Sequence, residues 1–146
     1  MLIRADVKPI INEKFDSIPE TVETVENLTD NVCQKYKFSD KERDSVAIAV
    51  TEAVNNAIFH GNKLDTAKKV HFRVYFDNDT LYFFVQDEGT GFNPGEVPDP
   101  LEPDNLLKEH GRGIFILKSL MDQVEYDFSA GGTTIKLAKT KQAKPS

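Results

Sequence analysis

Residues 50–62, VTEAVNNAIFHGN, carry Glu52, Asn56 and His60 at a strict spacing of four. Four residues make about one helical turn, so in a helix these three polar groups stand in one row. On a helical wheel the apolar arc of the segment holds Val46, Val50, Ala53, Val54 and Ala57. Glu52 and Asn56 fall on the border of that arc. A carboxylate beside a buried stripe can orient or deprotonate a hydroxyl, and an asparagine oxygen can meet a hard cation. The same two residues on a solvated helix face would need no such role, and the segment alone leaves both readings open.

Upstream, Ser39 followed by Glu42 forms a capping box that opens this helix, which runs to about Phe59 and stops near Gly61. Before it, Val22, Val25, Leu28, Val32 and Tyr36 recur every three or four residues, which predicts a helix over roughly 18–36, with Pro19 in its first turn. Ile3 to Val7 is predicted as an edge strand, extended by the Ile10 to Phe15 region.

Downstream, Val70 to Phe76 and Leu81 to Asp87 read as strands joined by the turn Asp77-Asn-Asp79. A segment rich in glycine, proline and acids follows over 88–110, and loops of that length in compact domains are commonly functional. Gly113 to Met121 reads as a short apolar helix. Val124 to Phe128 and Thr133 to Ala138 read as a second hairpin around Ala130-Gly-Gly132, and a frayed polar tail is expected over 139–146. The sum is an α+β sandwich of two layers, a mixed, mostly antiparallel sheet with helices on one face. It forms a single domain over 1–146 with its core at about 15–138.

The chain has 146 residues, 39% of them hydrophobic, enough for one core. Its formal net charge of -6 argues against direct nucleic-acid binding, which draws on clustered lysine and arginine. Its single cysteine, Cys33, excludes an internal disulfide and reads as a buried thiol on the first helix. No apolar run approaches a signal peptide or a membrane span, so a cytoplasmic location and no membrane partner are expected.

Three further stretches carry chemistry. In DEGTGF, 87–92, Asp87 ends an apolar strand and Gly89 and Gly91 permit a tight turn and close approach of a ligand. An aspartate there can accept from an exocyclic amine such as that of adenine, although a plain turn would look the same. In HGRGIF, 110–115, Gly111 and Gly113 stand before a helix start, where exposed N–H groups attract anions, and Arg112 can add a charge-assisted contact. In GGTT, 131–134, Thr133 and Thr134 enter a strand from a turn.

Together and in this order, E-x-x-x-N with HG, D-x-G-x-G-F, G-x-G and GTT resemble the GHKL ATPase superfamily, which includes gyrase and histidine-kinase ATP domains. The chain is most similar to the small anti-sigma factor serine/threonine kinases of bacterial sporulation and stress switches, over about residues 15–138. The resemblance implies a Bergerat fold and the cofactors ATP and Mg²⁺. It implies Asn56 as magnesium ligand, Glu52 as general base and Asp87 as reader of the adenine amino group. Gly89 and Gly91 would form a first glycine box, and Gly111 and Gly113 a second that meets the phosphates. Arg112 would face the γ-phosphate, Thr133 or Thr134 would support adenine, the 88–110 segment would be an ATP lid, and His60 would close its helix structurally rather than contact a phosphate. The implied activity is transfer of phosphate to a small anti-anti-sigma antagonist of the STAS type, with a sigma factor as a further partner and homodimerisation left open. A nucleotide-binding partner switch without significant catalysis is the alternative. No dimerisation helix with a phospho-accepting histidine is present, which argues against a complete histidine kinase.

Overall fold

A computed structural model describes residues 3–89, 109–128 and 131–142, with the backbone alone for 109–114. The order is β1 (Ile11–Asp16), α1 (Glu20–Lys35), α2 (Asp40–Asn55), a π-turn (Asn56–Gly61), β2 (Lys69–Asp77) and β3 (Thr80–Gln86). After the segment 90–108, which lies outside the described residues with most of the expected lid, come α3 (Glu109–Leu120), β4 (Gln123–Asp127) and β5 (Thr134–Thr140).

The strands form one sheet in the order β1-β2-β3-β5-β4, every neighbouring pair antiparallel. The period-2 pattern fixes its register. Phe72 stands opposite Val85, Val74 opposite Phe83, and Val85 and Phe83 opposite Ile135 and Leu137. A slip of one residue would send this whole apolar set to the opposite face. The set is buried under the helices, together with Val46, Val50, Ala53, Val54 and Ala57. Those five are the arc read from the helical wheel. Cys33 is fully buried in the same core, and burial pushes its thiol up to about 12, which keeps it protonated and unreactive. Helix α2 packs on α1, α3, β3 and β5, so whatever edges its buried stripe is carried toward the centre of the sheet.

The local signals explain most boundaries. The Asn78 and Asp79 backbones are both left-handed, φ 51° and 57°, as a two-residue hairpin turn between twisted strands requires. The predicted capping box is complete: Glu42 N donates to Ser39 Oγ at 3.2 Å and Ser39 N donates to Glu42 Oε1 at 2.8 Å.

Three expectations change. Residues 3–7 are not a strand; Pro9 has no N–H to add to a ladder, and pairing starts only where Ile10 N donates to Val74 O at 2.7 Å. Helix α3 starts at Glu109, four residues before the expected Gly113, so Gly111 and Gly113 lie inside it. A glycine costs a helix about 1 kcal/mol relative to alanine without ending it. The tail is held as far as Gln142. β5 continues to Thr140, Lys141 N donates to Asp79 O at 2.7 Å, and Gln142 N donates to Glu42 Oε2 at 2.8 Å.

Glu42 thus caps α2 with one oxygen and ties down the chain end with the other. Burial pushes its pKa up, but the N–H groups of Ser39 and Gln142 outweigh that and hold it below the ordinary value. A carboxylate held low stabilises the fold above its unfolded pKa, and this contribution is lost as pH falls through the folded pKa. Glu42→Ala should therefore lower unfolding stability by about 1–3 kcal/mol at pH 7. In urea titrations the gap to wild type should close in acid, below that folded pKa.

Candidate functional site

The end of β3 delivers Asp87 into a collar of backbone. Asp87 is only 6% exposed. Its N–H donates to Thr133 O at 3.0 Å, continuing the β3–β5 ladder by one step. Its Oδ1 accepts from Gly89 N at 2.9 Å and from Thr133 N at 3.1 Å. Among the described residues no group hydrogen-bonds Oδ2. One carboxylate oxygen is thus spent on holding the side chain still, and the other remains available as an acceptor. Burial pushes the Asp87 pKa up, and the N–H groups of Gly89 and Thr133 pull against that.

Three glycines from three separate stretches crowd this carboxylate. A Cβ on Gly61 would sit 2.1 Å from Asp87 Oδ2, one on Gly132 would sit 2.2 Å from Asp87 O, and one on Gly89 would sit 2.6 Å from Gly61 O. All three separations are far inside contact distance. None of these glycines has a left-handed backbone, whereas Gly131 does, φ 74°. They are glycine because the space beside Asp87 admits no side chain. The helical winding does end at Gly61, as the sequence suggested, but the glycine is required by Asp87 and not by a left-handed cap.

What carries Gly61 to Asp87 is the π-turn. Over 56–61 the chain winds wider than an α-helix: Asn62 N donates to Ala57 O at 2.8 Å and Leu64 N to Ile58 O at 2.8 Å. The row of polar groups is consequently true for Glu52 and Asn56, one α-turn apart, and His60 drifts off it. Both Glu52 and Asn56 are half-buried, as a border position requires, and His60 is half-buried at the end of the π-turn. π-turns of this kind occur often at functional sites.

Asn62, the next residue, was not singled out in the sequence. It is 1% exposed. Its Nδ2 donates to Ser17 Oγ at 2.9 Å and Lys69 O at 3.0 Å, and its Oδ1 accepts from Glu88 N at 2.8 Å. One side chain thereby joins the residue after β1, the start of β2 and the residue after Asp87. A buried amide with its polar atoms satisfied fixes a local backbone rigidly.

The structure therefore brings Asp87, Gly89 and Thr133 together and adds Gly61, Gly132 and Asn62. Thr134 is buried on β5 opposite Gln86. Gly111 and Gly113 lie on α3, which packs against α2. Gly91 and the Arg112 side chain lie outside the described residues. Among the described residues neither Glu52 nor Asn56 hydrogen-bonds Asp87; they occupy a separate station of the same helix and π-turn that end at Gly61. Among the described residues no three histidine, cysteine or acidic side chains cluster as a metal site. No described helix is long and apolar enough to cross a membrane.

The sequence pattern of the family described as histidine kinase-like ATPase domain matches residues 15–139. The serine-protein kinase RsbW of Bacillus licheniformis is 28% identical over 88% of this chain and 84% of its own length. The anti-sigma F factor of Bacillus subtilis is 36% identical over 67% of this chain and 69% of its own. Among solved structures, the RsbU and RsbW domains of Rv1364c from Mycobacterium tuberculosis superpose with a TM-score of 0.68 at 18% identity, covering 94% of this chain and 33% of that one. The catalytic domain of the histidine kinase ThkA gives 0.58 at 14% identity, covering 90% of this chain and 97% of that one. The two structural likenesses concern the fold; the sequence match extends over the α2 row, Asp87 and the final threonines alike. The chain belongs to the histidine kinase-like ATPase domain family.

Proposed function

We propose that this chain is an ATP-dependent serine/threonine protein kinase and anti-sigma-type regulator, acting as one cytoplasmic domain, which phosphorylates a small antagonist protein. The observation that carries the nucleotide part is the Asp87 carboxylate, pinned through Oδ1 with Oδ2 unspent, inside a glycine collar. An acceptor held so firmly suits a flat heterocycle with an exocyclic amino group. The names of the relatives, a serine-protein kinase and an anti-sigma factor, support the protein-kinase part.

In this reading Asp87 accepts from the adenine amino group, and Thr133 and Thr134 support the base from β5. Gly89 and Gly91 let the backbone approach it. Gly111, Gly113 and Arg112, at the start of α3, meet the phosphates, and the 88–110 segment is the lid. Mg²⁺, when bound, would neutralise charge on the phosphates, and Asn56 would offer it one neutral oxygen. That fits a helix with no acidic cluster. Glu52, on the α2 row one turn before Asn56, orients the incoming hydroxyl and takes its proton. Catalysis then rests chiefly on positioning and charge stabilisation. The acceptor is a serine or threonine of an anti-anti-sigma antagonist, and a sigma factor is the competing partner.

Calorimetry with MgATP and MgGTP tests the nucleotide part. Adenine presents an amine where guanine presents a carbonyl oxygen, and an oxygen facing Asp87 Oδ2 is repelled. MgATP should bind one per chain, with MgGTP at least about tenfold weaker, since a lost charge-assisted bond is worth about 1.5–3 kcal/mol. Equal binding of the two would remove Asp87 from base recognition. ATP binding without phosphate transfer to any protein would leave the chain as a nucleotide-dependent binding module.

A further inference from the structure

Asn62 has a partner beside Asp87, and the proposed mechanism gives it no part. Its side chain is 1% exposed. The partners fix which end of the amide points where. Glu88 N can only donate, so the atom that accepts from it at 2.8 Å is Oδ1. Lys69 O can only accept, so the atom that donates to it at 3.0 Å is Nδ2. Ser17 Oγ gives its own hydrogen to Lys68 O at 2.6 Å and accepts the second Nδ2 hydrogen at 2.9 Å. Lys69 N in turn donates to Glu88 Oε2, which closes a ring through Asn62, Lys69 and Glu88. Closing it takes a short side chain that both donates and accepts.

The two halves of this amide do different things. The Nδ2 half ties the residue after β1 to the start of β2, two strands already paired through Asp16 and Lys69. The Oδ1 half reaches the site. Residues 61–62 and 88–89 run side by side there: a Cβ on Gly89 would sit 2.6 Å from Gly61 O, and one on Gly61 would sit 2.1 Å from Asp87 Oδ2. Gly61 is therefore the wall next to the unspent oxygen, and the Asn62 bond to Glu88 N holds that wall to the residue after Asp87. Gly89, one residue on, supplies one of the two N–H groups that pin Asp87 Oδ1. A parting of about 0.5 Å between the two stretches would change both the opening at Oδ2 and the aim of the carboxylate.

We propose that Asn62 is a positioning residue for nucleobase recognition: its Oδ1 locks the 61–62 and 88–89 stretches together and so sets the opening in front of Asp87 Oδ2. This rests on the reading of Asp87 as the acceptor for the base. Asp87 supplies the acceptor, and Asn62 decides how narrowly it is presented, hence how strongly an amine is preferred to a carbonyl oxygen.

Asn62→Ser tests this, since its hydroxyl stays polar toward Lys69 O and Ser17 but is too short to reach Glu88 N. Asn62→Ala, with no polar group left to misplace, carries the same expectations. Ser17→Ala is the control: it removes two bonds of the same buried network and leaves the Asn62 bond to Glu88 in place. All three variants should melt below wild type. In protein without nucleotide, the Gly89 amide should exchange with deuterium at least about tenfold faster in the Asn62 variants, and within about twofold of wild type in Ser17→Ala. In calorimetry well below each Tm, the Asn62 variants should bind MgATP about tenfold more weakly and lose about fivefold of the preference for MgATP over MgGTP. Ser17→Ala should keep both within about twofold. Unchanged Gly89 exchange in the Asn62 variants overturns the positioning. Equal losses in Ser17→Ala overturn it as well and leave Asn62 a structural tie. Wild-type MgATP affinity in the Asn62 variants, where Asp87→Asn binds weakly, overturns the role in base recognition alone. Wild-type affinity in Asp87→Asn removes Asp87 from base recognition, and Asn62 with it.

Discussion

Asp87→Asn should abolish the stabilisation of this protein by ATP while leaving its fold standing. The amide keeps an oxygen for the N–H groups of Gly89 and Thr133, which hold the side chain at 2.9 and 3.1 Å. It replaces the unspent Oδ2 with an NH₂, a donor facing the donor of the base. Loss of a hydrogen bond to a charged group, together with that opposition, predicts a loss of affinity of about 100-fold. A ligand at 100 times its Kd stabilises the folded state by about 2.7 kcal/mol. At the same concentration the variant should keep less than about 0.5 kcal/mol, nearly the whole thermal shift being lost. Without nucleotide the variant should not melt below wild type at neutral pH, for a reason of sign. The Asp87 pKa is raised, chiefly by burial, so its ionised form opposes folding. Stability tied to this group is present below its unfolded pKa and declines as pH rises through the folded value. Asparagine carries no such penalty. Differential scanning fluorimetry with and without ATP reads both effects. An unchanged ATP shift in Asp87→Asn would separate this carboxylate from nucleotide binding.

Glu52→Ala should show the opposite division. The side chain is half-buried on the border of the core and bonded to nothing described, so its removal should change stability little. Its loss as the proposed general base should lower the rate of phosphate transfer to a protein hydroxyl by about 10²- to 10⁴-fold. MgATP affinity should stay within a few-fold, because Asp87 and the start of α3, proposed to meet the phosphates, are untouched. Single-turnover transfer at saturating ATP is the measurement. Transfer at the wild-type rate would mean that the acceptor hydroxyl loses its proton by another route.

Both variants fall on residues that were legible in the sequence, whereas other parts of the site were not. Glu52, Asn56 and Asp87 were visible because each sits at the edge of a strong pattern. The first two border an apolar arc with helical period, and the third ends an alternating strand. The capping box at Ser39 and Glu42 and the turn at Asn78 and Asp79 carry local chemistry that needs no tertiary context. Gly61 was visible as a glycine and misread in cause. A glycine at the end of an apolar helical pattern looks like a stop, and only the folded sheet shows that Asp87, 26 positions later, fills the space of its missing side chain. The π-turn left no trace, because one extra residue in the final turn keeps Ala57 and Ile58 buried and so keeps the pattern. Asn62 follows the helix in a loop, where no period marks it, and its partners Ser17, Lys69 and Glu88 are scattered along the chain. Strand β1 began later than expected because hydrophobicity at Ile3 and Val7 does not offset the missing N–H of Pro9.

The most direct test of the central claim is to follow the γ-phosphate itself. Wild-type chain and Glu52→Ala are each immobilised and given γ-¹⁸O-labelled MgATP in an extract of the cells the protein comes from. Bound proteins and heavy phosphoserine or phosphothreonine are then identified by mass spectrometry. The account predicts one small protein carrying the heavy phosphate with the wild type and none with the variant. Proteins retained in an ATP-dependent way, with no heavy phosphate on any of them, would contradict it.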